Sequence, residues 1–281
     1  MSQPTEEQII AALEKSGYLF EQDVATILEN LEFHVETNYA YTDLDEDKSR
    51  EIDVRAIKQI YRDETKKVQV FIELLVECKD FGSPLVFLER VKNAREKNNP
   101  QPQEYIFPKA NYKEHIDEKS YREKHPFQHF NLSEHHYYFK EDNKATQFSK
   151  IYRKSSDWFA NHEGIYDSLI LPQAKLLEYR KKDAVSYCRG NTWKAIWLFF
   201  PMVVLRDHLF TYDLSGPKRK LKEKSRVSFV RQLDSSNLKG SYLTDFVTYN
   251  YLTDYVCIDI ARFSSSILEL LNNNLDEVVG A

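Results

Sequence analysis

VFIELLVECKD, residues 70–80, decides how the rest of the chain is read. Val70, Ile72, Leu74, Val76 and Cys78 recur at period two and give a strand with one wholly apolar face. The opposite face carries Phe71, Glu73, Leu75, Glu77 and Lys79, so this core strand ends with an acid and a base side by side. Upstream, EIDVRAIKQI (51–60) alternates Glu51, Asp53 and Arg55 against Ile52, Val54 and Ala56. YRDETKK joins the two runs as a hairpin connection. If the strands pair through it, Asp53 comes to lie across from Glu77 and Lys79 on one polar face.

Further out, FHVETNYAYT (33–42) predicts another strand, and the acidic DLDEDKSR a loop. Residues 5–15 predict a helix interrupted at Ser16-Gly17; a second helix places Phe20, Val24, Ile27, Leu28 and Leu31 on one stripe. Downstream, Ser83 and Pro84 have the chemistry of a helix start, which makes LVFLERVKNAREKNN a helix and EYIFP a short strand. The expected order is helix, three strands, helix, strand. Residues 108–143 read as an irregular insertion, and 144–186 as largely helical. Residues 191–262 read as strands and turns, YVCIDIARF among them, before a closing helix over about 264–277.

Two carboxylates and a lysine at the end of a buried sheet suit phosphoryl chemistry. Mg²⁺ takes one or two carboxylates plus phosphate oxygens, and a neighbouring ammonium can align water or offset developing charge. The alternative is a solvated face with a cross-strand ion pair. Glu73 lies further from the strand end and fits a structural role better.

Asp53 followed on the next strand by Glu77-Cys78-Lys79 resembles the signature of the PD-(D/E)xK, or restriction-endonuclease-like, nuclease superfamily. GYLFEQDVATILENLEFHVET (17–37) resembles the opening of its Mrr-type members, and the likeness spans about residues 15–107. Ile52 stands where the family often has proline. The resemblance implies an α/β fold with an αβββαβ core over 1–107. Residues 144–281, helical and then antiparallel, would pack on that core for substrate binding or dimerisation. It also implies a metal site of Asp53, Glu77 and the Cys78 backbone carbonyl, with Lys79 positioning the attacking water and Glu21 completing the shell. The implied function is Mg²⁺-dependent endonuclease activity (Mn²⁺ also serving), on DNA rather than RNA, in restriction or phage defence by analogy. Double-strand cutting would call for a homodimer, and a regulatory protein partner is compatible. The competing class is a catalytically inactive nuclease-fold protein that binds nucleic acid or another protein.

The 281 residues are 42% hydrophobic and 30% charged, with a net charge of −5, so any nucleic-acid contact must come from local patches. The densest is PKRKLKEKSR (217–226), with Lys218, Arg219, Lys220, Lys222 and Lys224; Tyr152, Arg153 and Lys154 form a smaller one. Both fit exposed loops equally well. Cys78, Cys188 and Cys257 are too dispersed for a zinc or disulfide framework. DLDEDKSREIDV lacks the glycine and terminal glutamate of a calcium loop. His125, His129, His135 and His136 lack cysteine partners or an HExxH helix and read as loop or surface residues. The acidic N-terminus predicts no signal peptide, and AIWLFFPMVVL (195–205) is too short to span a bilayer, so a cytoplasmic protein is expected.

Overall fold

The computed structural model describes residues 3–98, 100–117, 119–190, 192–206 and 208–280. Helix α1 (Glu6–Ser16) opens on a reciprocal Thr5/Gln8 capping box and stops where Gly17 adopts φ +84°, a conformation that costs a side chain dearly. Helix α2 (Tyr18–Asn30) then buries Phe20, Val24, Ala25 and Leu28. The chain continues as an antiparallel meander of β1 (His34–Asp43), β2 (Lys48–Asp63) and β3 (Val68–Lys79), as the alternation predicts.

Beyond β3 the structure departs from the sequence reading. Residues 85–91 form a strand, β4 (Leu85–Val91), and only Ala94–Asn98 are helical. Leu85 and Phe87 recur at period two and pack against Phe148, Phe229 and Phe246, a burial that overrides the helix-start chemistry of Ser83-Pro84. EYIFP yields the two-residue strand β5 (Tyr105–Ile106). The expected irregular insertion contains the hairpin β6 (Tyr112–His115) and β7 (Tyr121–Lys124), with short helical turns after it. The stretch read as helical begins with a second hairpin, β8 (Asn143–Lys154) and β9 (Asp157–Asn161). Only then comes the long helix α3 (Leu171–Gly190).

Next follow β10 (Lys194–Leu205), β11 (Leu209–Asp213), β12 (Lys220–Lys224), β13 (Arg226–Asp234) and β14 (Lys239–Thr248). YVCIDIARF is helical rather than extended. It forms a π-helical turn at Tyr255–Ile260 that runs into helix α4 (Ala261–Val279). Val256, Ile260, Phe263, Ile267 and Leu271 are all buried at helix spacing, and this longer period wins over the short alternation within YVCIDI.

The fold is mixed α/β, with one large sheet ordered β1-β2-β3-β10-β14-β13-β8-β4-β11-β12. β10 runs parallel to β3 from Lys194↔Val68 to Leu205↔Lys79. The sheet therefore crosses the boundary expected at residue 107. Buried strands with helices on either side account for the near-continuous apolar run of β10. On one face α2 and α4 cover Val54, Val76 and Val204; on the other α3 places Leu176, Leu177 and Ala184 against Leu75, Trp197 and Phe199. No helix among the described residues is long and apolar enough to cross a membrane.

Two buried acids fasten α3 to the meander. Glu73 on β3 receives Arg55 Nε at 2.6 Å and Arg180 Nε at 2.6 Å. Asp43, at the end of β1, receives Arg50 at 2.5 Å and Lys175 of α3 at 2.8 Å. Burial alone would raise the Asp43 carboxyl, but hydrogen bonds from Lys175 and Arg50 outweigh it and hold the pKa at about 2. Its folded value lies below its unfolded value, so this contribution is complete above about pH 4 and fades as pH falls towards 2. Asp43→Asn should therefore lower stability by roughly 2 kcal/mol at neutral pH, and by progressively less below pH 4. Urea unfolding at several pH values checks this; a pH-independent deficit would contradict it.

Candidate active site

The β2–β3 ladder ends at Val54↔Val76, while β3 continues to Lys79 alongside β10. The end of the pair thus opens into a fork. Ile52 packs with Tyr41 and Leu75, whereas Val54 packs with α2 on the opposite face. β2 must turn sharply at Asp53, between them. Asn38 lies in the facing gap of β1, between Thr37↔Val54 and Tyr39↔Ile52, and its φ of +52° marks the same irregularity. A flat alternation, with Ile52, Val54 and Ala56 sharing a face, does not hold at this point.

The turn aims Asp53 into the fork. Its Oδ2 accepts the Cys78 backbone N–H at 2.7 Å and lies 3.9 Å from Lys79 Nζ. Lys79 also donates to Glu77 Oε1. The side chains of Asp53, Glu77 and Lys79 keep only 22%, 11% and 25% of their surface exposed, so the charges interact in a partly dry setting. Burial, and then the neighbouring Asp53 charge, push Glu77 up to about 7. Burial likewise raises Asp53 against the opposing effects of the Cys78 N–H and Lys79. Burial would lower the Lys79 ammonium, but the Glu77 carboxylate more than compensates and its pKa rises. Glu21, in the first turn of α2, is raised by burial and then by Asp53. The three acids repel one another across the fork, with Lys79 between them.

Two carboxylates whose charged forms burial disfavours would gain from an added cation. Mg²⁺ retains waters and needs few protein oxygens, so Asp53 and Glu77 fit it without a complete cage. Among the described residues no group of three His, Cys, Asp or Glu side chains converges tightly enough to hold a metal. Glu21 is within electrostatic reach rather than in contact.

The basic stretch lies on β12 and the turn before it. Lys220, Lys222 and Lys224 are exposed on β12 at the far end of the strand order, with Lys218 and Arg219 exposed in the preceding turn. Lys224 alone of these lines a cleft of about 490 Å³, shared with Arg206, His208 and Thr248. Arg206 leads from that cleft to the fork, and no motif singles it out in the sequence. Its N–H donates to the Lys79 carbonyl at 3.2 Å. Its guanidinium lies 3.4 Å from both Asp23 and Asp80 and 4.5 Å from the Phe20 ring centroid. Only the parallel register, Leu205 beside Lys79, brings it there.

The other motifs resolve into structure. Of DLDEDKSR, read as a loop, only residues 44–47 form the β1–β2 turn, with Asp43 accepting the Asp45 N–H, and residues 48–50 open β2. His125 caps a helical turn at the Phe127 N–H, His129 stacks on Tyr112 with centroids 4.1 Å apart, and His135 is exposed in a turn, in line with its surface reading. His136, read as a loop or surface residue, is fully buried and 2.6 Å from the Tyr105 hydroxyl. Comparisons with protein-family models, curated proteins and solved structures find no match to this chain.

Proposed function

We propose that the chain is a metal-dependent endonuclease with a restriction-endonuclease-like core. The observation that carries this reading is the meeting of Asp53, Glu77 and Lys79 in the fork at the end of β2 and β3. The order α2-β1-β2-β3-α3-β10 supports it as an αβββαβ unit, with α3 and β10 in the places that the sequence had suggested for residues 85–107. On this reading residues 80–170 form a long insertion between β3 and α3.

Asp53 and Glu77 would hold Mg²⁺ or Mn²⁺, with the Cys78 carbonyl as a further oxygen. A divalent ion there would polarise the scissile phosphate and acidify a bound water. Lys79 would leave Glu77 for the water and the phosphate, orienting the nucleophile and offsetting charge as the bond to phosphorus forms. Glu21 would accept hydrogen bonds from water on the α2 side. Arg206, tied to Asp23 and Asp80, would steady the Lys79 end of β3. DNA is the favoured substrate. A homodimer would supply the second site for double-strand cutting, and restriction or phage defence is the biological setting by analogy alone.

A second reading has one observation in its favour. Lys79 bonds directly to Glu77, which an inert binding module could keep as a plain ion pair. Incubation with circular, linear and single-stranded DNA and with RNA, in Mg²⁺, Mn²⁺ or EDTA, tests the choice. Cutting in either metal and none in EDTA is expected. Intact substrates throughout would favour the inert module.

A further inference from the structure

The hairpin of β8 and β9 has a use that the fork alone does not require. β8 pairs with β4 only as far as Lys150↔Leu85, and the Ile151 N–H donates to the Pro84 carbonyl at 3.0 Å. From there to the Ser155-Ser156 turn, its strands pair only with each other, from Lys150↔Asn161 to Lys154↔Asp157. An isolated two-stranded ribbon gains little from a core. This one nevertheless exposes 65% of Trp158 and 44% of Phe159.

Its position is specific. Lys150 Nζ sits 4.5 Å from the ring centroid of Phe81, two residues beyond Lys79, so the ribbon rises from the rim of the fork. Tyr152 stands opposite Phe159, with ring centroids 6.0 Å apart, and Arg153 stands opposite Trp158 on the other face. Each face thus presents aromatic surface. Lys150, Arg153 and Lys154 outnumber the single acid of the ribbon, Asp157, in a chain whose net charge is −5.

We propose that residues 150–161 bind single-stranded nucleic acid, with Trp158 and Phe159 stacking on unpaired bases and Arg153 and Lys154 meeting the phosphates between them. Bases within a duplex already stack on one another and offer no face to a projecting ring, so the aromatic contribution selects unpaired nucleotides. The positive charge argues for a polyanion over a neutral protein groove. The ribbon's place beside a cleavage centre rests on the nuclease reading, but its capacity to bind does not.

The test is fluorescence anisotropy of a labelled single-stranded oligodeoxynucleotide and its duplex, with the full chain in EDTA so that metal-dependent cleavage plays no part. Trp158→Ala/Phe159→Ala should weaken single-strand binding about ten-fold or more and leave the duplex nearly unaffected. Arg153→Ser/Lys154→Ser should weaken both and flatten the salt dependence. Quenching of tryptophan fluorescence by the oligonucleotide should be lost in the Trp158→Phe variant while most of the affinity remains. Single-strand affinity unchanged in the double-alanine variant, or an equal loss for the duplex, overturns stacking. Wild-type chain that binds no oligonucleotide but sediments with anionic lipid vesicles overturns the ligand class. If cleavage never appears but the ribbon variants lose single-strand binding, the proposal stands and only the nuclease reading falls.

Discussion

Glu73→Ala should lower the unfolding free energy by about 3–5 kcal/mol, the largest stability loss expected from any single change named here. Glu73 is fully buried, and the side chains of Arg55 and Arg180 keep only 11% and 9% of their surface exposed. Removing the carboxylate strands two guanidinium groups that water can barely reach. Each keeps a more exposed partner, Glu36 for Arg55 and Asp183 for Arg180, which limits the loss. Glu73→Gln preserves volume and one acceptor oxygen and should cost about half as much. Asp183→Ala, which removes only the exposed partner, should stay below about 1 kcal/mol. Thermal or urea unfolding of the three variants ranks them. Glu73→Ala within experimental error of the parent would show that this pair does not fasten α3 to β3.

Lys79→Ala should have the largest effect on activity, a loss of about a hundred-fold or more in cleavage. The same substitution removes no core volume but takes the cation from two largely buried carboxylates, so it should lower stability by about 1–3 kcal/mol. Metal binding separates the chemical role from a structural one. Lys79 occupies the Glu77 carboxylate in the free protein, so its removal should leave Mn²⁺ affinity equal or higher. Calorimetric titration alongside the cleavage assay reads both. Cutting that survives in Lys79→Ala would assign the lysine to ion pairing alone, and Mn²⁺ affinity lost with the ammonium would contradict Asp53 and Glu77 as the ligands.

Much of this was legible in the sequence where interactions are local. Ser16-Gly17 ends α1, and alternation with polar turns gives β1 and β3 to within two residues, while β2 runs three residues further at each end, into stretches that read as loop and hairpin connection. Asp53, Glu77 and Lys79 were visible as a set because one hairpin brings them together. What could not be read depends on distant partners. β10 lies beside β3 only after more than a hundred intervening residues, and with it comes Arg206. Residues 85–91 and 143–161 carry polar positions compatible with either period, and aromatic packing of Phe87, Phe148 and Phe229 decides for strands. Val256, Ile260 and Phe263 fit a helix, yet YVCIDI also alternates, so the sheet-covering role of α4 settles the period. The turn of Asp53 out of the simple alternation faces the positive φ of Asn38 in the neighbouring strand, a juxtaposition that alternation within β2 does not reveal.

The central claim is that the Asp53–Glu77–Lys79 fork breaks phosphodiester bonds with the help of a divalent ion. Its most direct test is cleavage of supercoiled plasmid by wild type and Asp53→Asn, purified in parallel, with Mg²⁺ and with EDTA. Mg²⁺-dependent nicking or linearisation by the wild type, absent in Asp53→Asn of unchanged unfolding midpoint, is the predicted result. Equal cutting by both proteins, or an intact plasmid in every lane beside wild type that binds no Mn²⁺, would contradict it.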